Sequence, residues 1–507
     1  MEELKKQKKD FENNNLTNNK NNKADYLIIG NSAAGLAAAS SIRSIDKKGK
    51  ILVITNEEYK NYSKPLITYF IAGKVKLENI YFKNEQFYED NDILLFSNTN
   101  IKKIDFKKKL AFSDNNLNFT YKKLLFANGG TPIIPEIQVV EDNKLINKSE
   151  NEDKIINSIN SKAKIKKEDN SKFNFNNTLN SNNYKEISGI FTLTSLTDAI
   201  NIKKYIEENK IKEAVILGGG LIGLKSAEAL LEIGIKINII ELADRLLSAT
   251  FDKNASLIIE NQLKNNSSKI YTKNTINKIF IKNDKLIGNK LIGVELSNKE
   301  IIKSNLLIIA IGVIPDLRII KESEKLNKKV PNYGKGIYTD KYMKTSIVDI
   351  YAAGDVVENY DLLSGNNANI AIWPLAVKQG EVAGMNMAGI SMEYNGGYFM
   401  NSIEILGIPS ISIGFANLNK GDKDKIEVIY DFKPEKNFYK KIVISEEKII
   451  GVILVGNIDR AGIYNGLIKN KVNIAEIKEN LVKENFGIIQ LPIDYRKHLV
   501  IGDGIEV

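Results

Sequence analysis

The sequence predicts an α/β protein with two doubly wound, parallel-sheet domains and a C-terminal α+β domain. Strand–turn–helix–strand units at residues 25–55 and 214–240, each with a glycine-bearing turn, indicate the two sheets. Strands that alternate with helices at this spacing are typical of parallel sheets covered on both faces. Beyond Gly389 the pattern changes to short strands, which predicts the separate C-terminal domain.

The first unit consists of a strand at 25–29, the turn Gly-Asn-Ser-Ala-Ala-Gly at 30–35, a small-residue helix at 36–44 and a strand at 51–55. The turn fits the dinucleotide-binding pattern G-x-G-x-x-G except at Ser32, where the middle glycine normally lets the backbone approach a pyrophosphate. The helix that follows directs free N–H groups at the phosphates. An acidic ribose ligand is expected about 20 residues on. Glu57, 22 positions after Gly35, is the candidate, and Glu58 is the alternative.

The second unit satisfies the same pattern fully, with the turn Gly-Gly-Gly-Leu-Ile-Gly at 218–223. Glu241 follows Gly223 by 18 positions and again stands at the end of a strand. A carboxylate at that point accepts a hydrogen bond from a ribose 2′-hydroxyl and repels a 2′-phosphate. Arg245 is near, but no arginine directly follows Glu241. The spacing therefore predicts a site for NADH in preference to NADPH.

The C-terminal region reads as short strands at 403–405, 410–413, 426–430, 441–445 and 449–455, followed by helices at about 462–469 and 473–482. Two other segments are rich in Asn and Lys and carry few apolar residues to bury. Residues 1–23 are therefore expected to be a disordered tail. Residues 138–187 are expected to be a low-complexity surface insertion, because a structureless stretch of that length cannot form core.

The absence of cysteine excludes several classes of chemistry. The 507 residues include no cysteine and one histidine, His498. A disulfide framework, a thiolate metal site and a dithiol redox centre are therefore excluded, as are a multi-histidine metal site and a histidine dyad. No metal site is predicted, and His498 is given no role, because a single histidine is more often structural than catalytic.

The formal net charge of +10 does not indicate nucleic acid, because the lysines are scattered and interleaved with acidic residues. The surplus favours an acidic protein partner through electrostatic steering. No apolar run approaches the roughly 18 residues that span a bilayer, and the charged N-terminus has no apolar signal region. No membrane association and a cytoplasmic location are therefore expected.

Four more motifs accompany the two turns: Tyr-Ser-Lys-Pro at 62–65, Phe-Ala-Asn-Gly at 126–129, Ala-Ile-Gly-Val-Ile-Pro at 310–315 and Asp-Ile-Tyr-Ala-Ala-Gly-Asp at 349–355. With them the chain resembles the FAD- and NAD-dependent pyridine nucleotide oxidoreductases, nearest to rubredoxin reductase, the flavin part of the nitrite reductase large subunit and NADH oxidase-like proteins. The resemblance covers about residues 24–137 and 188–490. It implies an FAD-binding domain at 24–137 and 313–390, an NAD-binding domain at 188–312 and a C-terminal interface domain at 391–507.

The resemblance also implies which residues hold the two cofactors, FAD and NADH. For FAD they are Gly30, Ser32, Ala33, Ala34, Gly35, Glu57, Lys64, Pro65, Ala127, Gly129, Gly354, Asp355, Pro374 and Ala376. For NAD they are Gly218, Gly220, Leu221, Ile222, Gly223, Glu241 and Gly312. Many relatives place a lysine–glutamate pair near flavin N5, but here the positions are Tyr69 and Lys225. Lys64, Tyr69 and Lys225 are therefore the flavin-adjacent candidates, with Lys225 as a source of positive charge and no residue assigned to acid–base catalysis.

The expected function is transfer of hydride from NADH to FAD and of electrons onward to a small acidic carrier protein such as rubredoxin, or to a partner subunit. Disulfide reduction by an internal thiol is excluded by composition. Two alternatives stay open: an NADH oxidase that reduces oxygen to hydrogen peroxide, and a non-catalytic nucleotide-binding protein on the same fold. The C-terminal domain is expected to form a dimer interface or a partner-docking surface.

Overall fold

The computed structural model describes residues 22–84, 86–141, 178–284, 288–418, 425–492 and 495–496. Most of the predicted tail, residues 142–177 of the predicted insertion, and His498 lie outside these ranges. The predicted tail ends earlier than expected, because Lys23 already belongs to the first strand, where it pairs with Thr120.

The first sheet begins at the N-terminus of the described chain. Its elements are β1 (Lys23–Ile29), α1 (Ala33–Ile45), β2 (Ile51–Ile54), α2 (Ile67–Ile71), α3 (Phe87–Asp90), β3 (Ile93–Phe96), β4 (Ile101–Asp105), β5 (Leu110–Ser113) and β6 (Asn118–Phe126). The strand order is β3-β2-β1-β6-β5-β4, with β1, β2, β3 and the end of β6 parallel. Ile29 pairs with both Ile54 and Phe126. The three central strands therefore end at one edge of the sheet, where a ligand is expected to bind.

The second sheet and a small sheet beside it follow. The strands are β7 (Gly130–Pro132), β8 (Ile137–Glu141), β9 (Thr178–Leu179), β10 (Ile190–Thr192), β11 (Glu213–Leu217), β12 (Lys236–Glu241), β13 (Ser268–Thr272), β14 (Ile276–Asp284), β15 (Gly288–Leu296), β16 (Ile301–Lys303) and β17 (Leu307–Ile309). The helices are α4 (Leu196–Asn209), α5 (Leu221–Glu232) and α6 (Lys253–Asn265). β10-β17-β11-β12-β13 form an all-parallel sheet.

The predicted insertion at 138–187 is wrong at both ends. β8 pairs in parallel with β14, and β9 pairs with β8, so both strands complete the sheet β16-β15-β14-β8-β9. Ile137, Val139 and Leu179 are buried in that sheet's core. The apolar residues that flank the Asn/Lys-rich segment in sequence thus belong to β8 and β9, which pair with each other.

The chain then returns to the first sheet. The elements are β18 (Val313–Pro315), α7 (Arg318–Ser323), β19 (Ile337–Tyr338), β20 (Ile350–Ala352), β21 (Val357–Tyr360), β22 (Asn367–Ala368) and α8 (Trp373–Met387). β20 pairs with the end of β6, and β18 pairs with β7 between the two large sheets. A Cβ atom added to Gly380 or Gly384 of α8 would lie 2.2 or 2.5 Å from a carbonyl oxygen of α1. Glycine at these positions therefore allows the two helices to pack backbone to backbone over the sheet.

The C-terminal domain is an antiparallel sheet with one helix. Its elements are β23 (Met400–Ile405), β24 (Ile408–Gly414), β25 (Ile426–Lys433), β26 (Phe438–Ser445), β27 (Lys448–Val455) and α9 (Ala461–Lys469), in the strand order β23-β24-β27-β26-β25. The predicted helix at 473–482 is wrong in type, since only a 3₁₀ helix forms, at Ala475–Asn480. Asn473 bridges to Lys448 and Ile474 N–H donates to Glu447 O, so strand-like pairing occupies the residues that would have begun the helix.

Buried polar contacts attach the C-terminal domain to the second domain. Asp252, at the N-terminus of α6, accepts hydrogen bonds from the Tyr439 hydroxyl at 2.7 Å and the Lys441 ammonium at 3.0 Å. Only 1% of the Lys441 surface is exposed. Glu228 of α5 accepts the Leu406 N–H at 2.7 Å, and Gln262 of α6 donates to the Leu406 carbonyl. A buried charge is tolerated only when it is paired, so these contacts define how the two domains sit together.

Candidate cofactor site

The first glycine turn is closed by backbone contacts that only glycine allows. Gly30 has φ +124° and donates its N–H to Ile54 O at 2.8 Å. A Cβ atom on Gly30 would lie 2.0 Å from Ala127 O, and one on Gly35 would lie 2.0 Å from Gly30 O. Ser32 is the N-cap of α1, but its side chain makes no capping hydrogen bond. The first N–H groups of α1 therefore stay available to an anion.

The second turn repeats this construction on the second sheet. Gly218 has φ +113° and donates to Ile240 O at 2.8 Å. Added Cβ atoms on Gly218 and Gly223 would lie 2.3 Å from Ala310 O and 2.0 Å from Gly218 O. A Cβ atom on Gly220, by contrast, meets nothing within 4 Å. The outer glycines serve the fold of the turn, whereas the middle glycine leaves open space in front of the N-terminus of α5.

The two turns differ at the acidic position. Glu241 is the last residue of β12, and its two carboxylate oxygens accept the N–H groups of Gly219 at 2.6 Å and Ala243 at 2.7 Å. Since Gly30 and Gly218 bond to Ile54 and Ile240, the residue equivalent to Glu241 in the first domain is Thr55. Glu57 lies two residues further on and accepts the Tyr62 hydroxyl at 2.6 Å. The structure therefore separates Glu57 from the strand-end position that the sequence spacing assigned to it.

A cleft of about 890 Å³ runs from the first turn to the second domain. The predicted FAD residues that line it are Gly30, Ser32, Ala33, Ala34, Glu57, Lys64, Pro65, Ala127, Gly129, Gly354, Asp355 and Ala376. Gly35 and Pro374 are not among its lining residues. Gly35 instead packs closely against the Gly30 carbonyl within the turn. Of the predicted NAD residues only Ile222 lines the cleft, and Gly218, Gly220, Leu221, Gly223, Glu241 and Gly312 lie outside its lining.

Polar side chains in the cleft that the sequence reading missed fit a polar ligand. Asn31 and Asn128 both line the cleft, and Asn31 Nδ2 and Asn128 Oδ1 are buried without a hydrogen-bond partner. Asn128 Nδ2 donates to Asp316 O at 2.8 Å, which leaves the oxygen as the unpaired atom. Buried polar atoms without a partner are rare in folded proteins, so a donor and an acceptor here fit a bound dinucleotide. The signal available in the sequence was their position in motifs, since Asn31 follows Gly30 and Asn128 precedes Gly129.

Asp355 lines the cleft next to Gly354, which lies against α8. Burial raises the pKa of the Asp355 carboxyl above its ordinary value, and the nearby Lys64 ammonium opposes that shift. Gly354, with φ +82°, donates its N–H to the Gln379 side chain of α8. The N-terminus of α8 has no side-chain cap, and Trp373 there packs edge-on against Phe82 at 5.2 Å. This end of the cleft thus combines a carboxyl acceptor with a helix N-terminus.

The three flavin-adjacent candidates separate into two groups. Lys64 lines the cleft, whereas Tyr69 and Lys225 do not. Lys225 Nζ lies 4.6 Å from the centre of the Tyr69 ring and is paired with the Glu228 carboxylate. It also donates to Glu404 O at 3.2 Å. Lys225, the predicted source of positive charge near the flavin, is therefore ion-paired with Glu228, three residues along the same helix.

Two features are absent from the residues that the structure describes. No group of three or more His, Cys, Asp or Glu side chains there is arranged to hold a metal ion. Within the same ranges, no helix has the length and apolar character needed to cross a membrane.

Two parts of the chain match known protein families. Residues 24–380 match the pyridine nucleotide-disulphide oxidoreductase family, and residues 400–472 match the rubredoxin NAD+ reductase C-terminal domain. The NADH-dependent phenylglyoxylate dehydrogenase subunit epsilon of Aromatoleum evansii is 26% identical over 91% of this chain and 96% of its own length. The NADH-rubredoxin oxidoreductase of Clostridium acetobutylicum is 28% identical over 85% of this chain and 91% of its own.

A solved structure gives the same result in three dimensions. The crystal structure of NADH:rubredoxin oxidoreductase from Clostridium acetobutylicum matches with a TM-score of 0.64 and 26% identity, covering 90% of this chain and 97% of that one. The predicted fold class, two Rossmann-like domains and a C-terminal α+β domain, is confirmed. The chain belongs to the pyridine nucleotide-disulphide oxidoreductase family, and its cofactors are FAD and NADH.

Proposed function

We propose that the protein oxidises NADH at a bound FAD and passes the electrons to a small iron–sulfur protein, such as rubredoxin, or to an iron–sulfur partner subunit. FAD, when bound, accepts two electrons as hydride and releases them singly. The chain's own residues bind and align the two cofactors. Such a transfer needs alignment and no acid or base from the protein, which suits a chain with no cysteine and one histidine.

The observation that carries the proposal is a cleft that is lined by the first turn and reaches one residue of the second. The first turn opens directly into the cleft, and Ile222, which belongs to the second turn and to the start of α5, lines it from the other domain. Lys64 and Pro65 line the cleft in the 3₁₀ helix Lys64–Leu66, which leads into α2. A dinucleotide on the second turn can therefore extend its nicotinamide toward a flavin held by the first.

The acceptor is inferred from composition and from the relatives. Without cysteine the chain offers no thiol that could carry electrons to a disulfide or persulfide, so we infer that it is not a disulfide reductase. Relatives named as a rubredoxin oxidoreductase and as a dehydrogenase subunit both suggest a protein acceptor. The net charge of +10 favours an acidic one, because complementary charge accelerates encounter.

Anaerobic mixing of the FAD-loaded protein with NADH tests the first half. We expect the visible flavin absorbance to be lost rapidly in the wild type. In Gly220→Val, where the new Cβ atom meets no protein atom within 4 Å and the side chain narrows the approach to the second turn, FAD should stay bound while reduction slows at least tenfold. Wild-type protein that binds FAD but is not bleached by NADH would contradict the proposal and support a non-catalytic nucleotide-binding protein.

Stopped-flow reoxidation of the reduced protein tests the second half. Rubredoxin, an acidic ferredoxin and air-saturated buffer are the three oxidants to compare. Faster reoxidation by either iron–sulfur protein than by air supports the proposal. Fast reoxidation by air with formation of hydrogen peroxide, and slow reaction with both proteins, overturns it in favour of an NADH oxidase.

A further inference from the structure

Asn31 directly follows Gly30, the first glycine of the FAD turn. Asn31 lines the cleft, and its Nδ2 atom is buried with no hydrogen-bond partner among the described residues. Its Oδ1 atom accepts the Tyr88 hydroxyl at 2.8 Å. The oxygen of this amide is therefore hydrogen-bonded within the protein, whereas its nitrogen has no partner. Such an amide, in a residue that lines a cofactor cleft, is a candidate ligand-binding group.

The partner side chain determines which amide atom is unpaired. The Tyr88 hydroxyl accepts the backbone N–H of Asn61 at 3.1 Å and has one proton left to donate. That proton requires an acceptor, so the oxygen of Asn31 lies against Tyr88 and the NH2 group does not. Burial raises the pKa of Tyr88, so the hydroxyl keeps its proton throughout the neutral range.

The support behind Tyr88 is itself rigid. Asn61 is 1% exposed, and its side-chain oxygen accepts the Lys83 N–H at 2.8 Å. Tyr88 lies on α3 and packs edge-on against Phe87 at 5.4 Å between ring centres. The Asn31 amide is therefore held in one orientation by Tyr88, 57 positions away in the chain, rather than by its own turn.

The residue that carries the unpaired donor adjoins the N-terminus of α1, which attracts anions. Asn31 directly precedes Ser32, the N-cap whose side chain leaves the first N–H groups of α1 uncapped. The first turn of α1 contains no acidic residue that could compete for them. An acceptor for Asn31 Nδ2 would thus share the site with helix N–H groups that favour negative charge.

We propose that the Asn31 side-chain amide donates a hydrogen bond to the FAD diphosphate, and that Tyr88 is the positioning residue that aims it. The inference rests on the first turn being the FAD turn. It concerns affinity for FAD rather than reactivity with NADH, so its failure and that of the proposed function are distinguishable.

Titration of the apoprotein with FAD, followed by flavin fluorescence, tests the proposal. Asn31→Ala should weaken FAD binding about 10- to 100-fold, the usual effect of losing a hydrogen bond to a charged group. Asn31→Asp keeps the contact with Tyr88 but turns a carboxylate oxygen toward the diphosphate, so its loss should be larger. Lowering the pH should restore part of the Asn31→Asp affinity, because a protonated carboxyl regains a donor.

Two tyrosine variants separate positioning from general damage. Tyr88→Phe frees the amide to rotate and should weaken FAD binding several-fold. Tyr26→Phe removes a hydroxyl on β1 that bonds to Asp46, where neither residue lines the cleft, and should leave FAD affinity unchanged. Thermal melting of each apoprotein checks that it is folded. If Asn31→Ala does not fold, the FAD affinity of Asn31→Asp tests the proposal in its place. Wild-type affinity in Asn31→Asp, or equal losses in the two tyrosine variants, would overturn the proposal.

Discussion

The choice between NADH and NADPH provides a quantitative test of the second turn. The perturbation is Glu241→Gln, which removes one negative charge at the end of β12 and changes little else in size. In the structure the two carboxylate oxygens are bound by the N–H groups of Gly219 and Ala243, so the carboxylate is held in place before any ligand arrives. An amide retains one acceptor for these two donors, so the turn should persist.

The expected magnitude follows from the charge and the exposure of the site. At about 4 Å and an effective dielectric near 20, two like unit charges repel by roughly 4 kcal/mol. Glu241 is half-buried, so solvent and salt reduce this value, and about 1.5–3 kcal/mol is expected to remain. That energy corresponds to roughly 10- to 100-fold. The wild type should therefore favour NADH over NADPH by at least this factor in kcat/KM, and Glu241→Gln should reduce the preference by a similar factor.

Steady-state kcat/KM for both nucleotides, with an artificial electron acceptor at fixed ionic strength, measures the preference. Asp244→Asn is a matched control, because it removes a nearby carboxylate that pairs with Arg245 and lies outside the turn. It should leave the ratio almost unchanged. Equal turnover of NADH and NADPH by the wild type would refute the reasoning, as would an unchanged ratio in a well-folded Glu241→Gln.

Three further outcomes are expected. Gly35→Val places a side chain 2.0 Å or less from the Gly30 carbonyl, so we expect purified protein with little FAD and a loss of about 3 kcal/mol or more in stability; full flavin content would contradict the steric argument. Lys441→Met leaves the buried Asp252 carboxylate without its ammonium partner and should cost about 3–5 kcal/mol in urea unfolding, whereas wild-type stability would show that the pair contributes nothing. Burial raises the pKa of Asp355, so between the ordinary value of 3.8 and that raised value the folded apoprotein binds more protons than the unfolded chain, and stability falls as pH rises through this window. Asp355→Asn should therefore raise the melting temperature of the apoprotein at neutral pH and not below the ordinary pKa, and an equal gain at every pH would exclude titration as the cause.

Local sequence was sufficient for the turns and for the strands that carry them. The pattern of glycines at 30–35 and 218–223 predicts a backbone conformation that residues other than glycine rarely adopt. The structure has the corresponding positive φ values at Gly30 and Gly218. The apolar runs before each turn predict buried parallel strands, which pair as expected at β1 and β11. Both signals depend on neighbours within a few residues, so no knowledge of the fold was needed.

Sequence patterns were incomplete where the geometry depended on residues distant in sequence. The spacing rule selected Glu57, which lines the cleft, and only the strand register shows that Thr55 is the positional equivalent of Glu241. Lys225 was expected to be a source of positive charge, and only the structure shows its ion pair with Glu228, which also accepts the Leu406 N–H of the C-terminal domain. Strand β8 was assigned to an insertion because its partner, β14, lies more than 130 positions away.

The sequence by itself determined the two dinucleotide turns, the parallel-sheet architecture around them and the exclusion of thiol chemistry, because these follow from short-range backbone sterics, hydrophobic periodicity and composition. The tertiary structure alone decided which polar atoms are left unpaired in the cleft. Asn31 is an unremarkable turn residue until Tyr88 and Asn61 are brought beside it. Hydrogen-bond satisfaction depends on atoms that folding brings together from separate elements, and sequence spacing carries no record of that geometry.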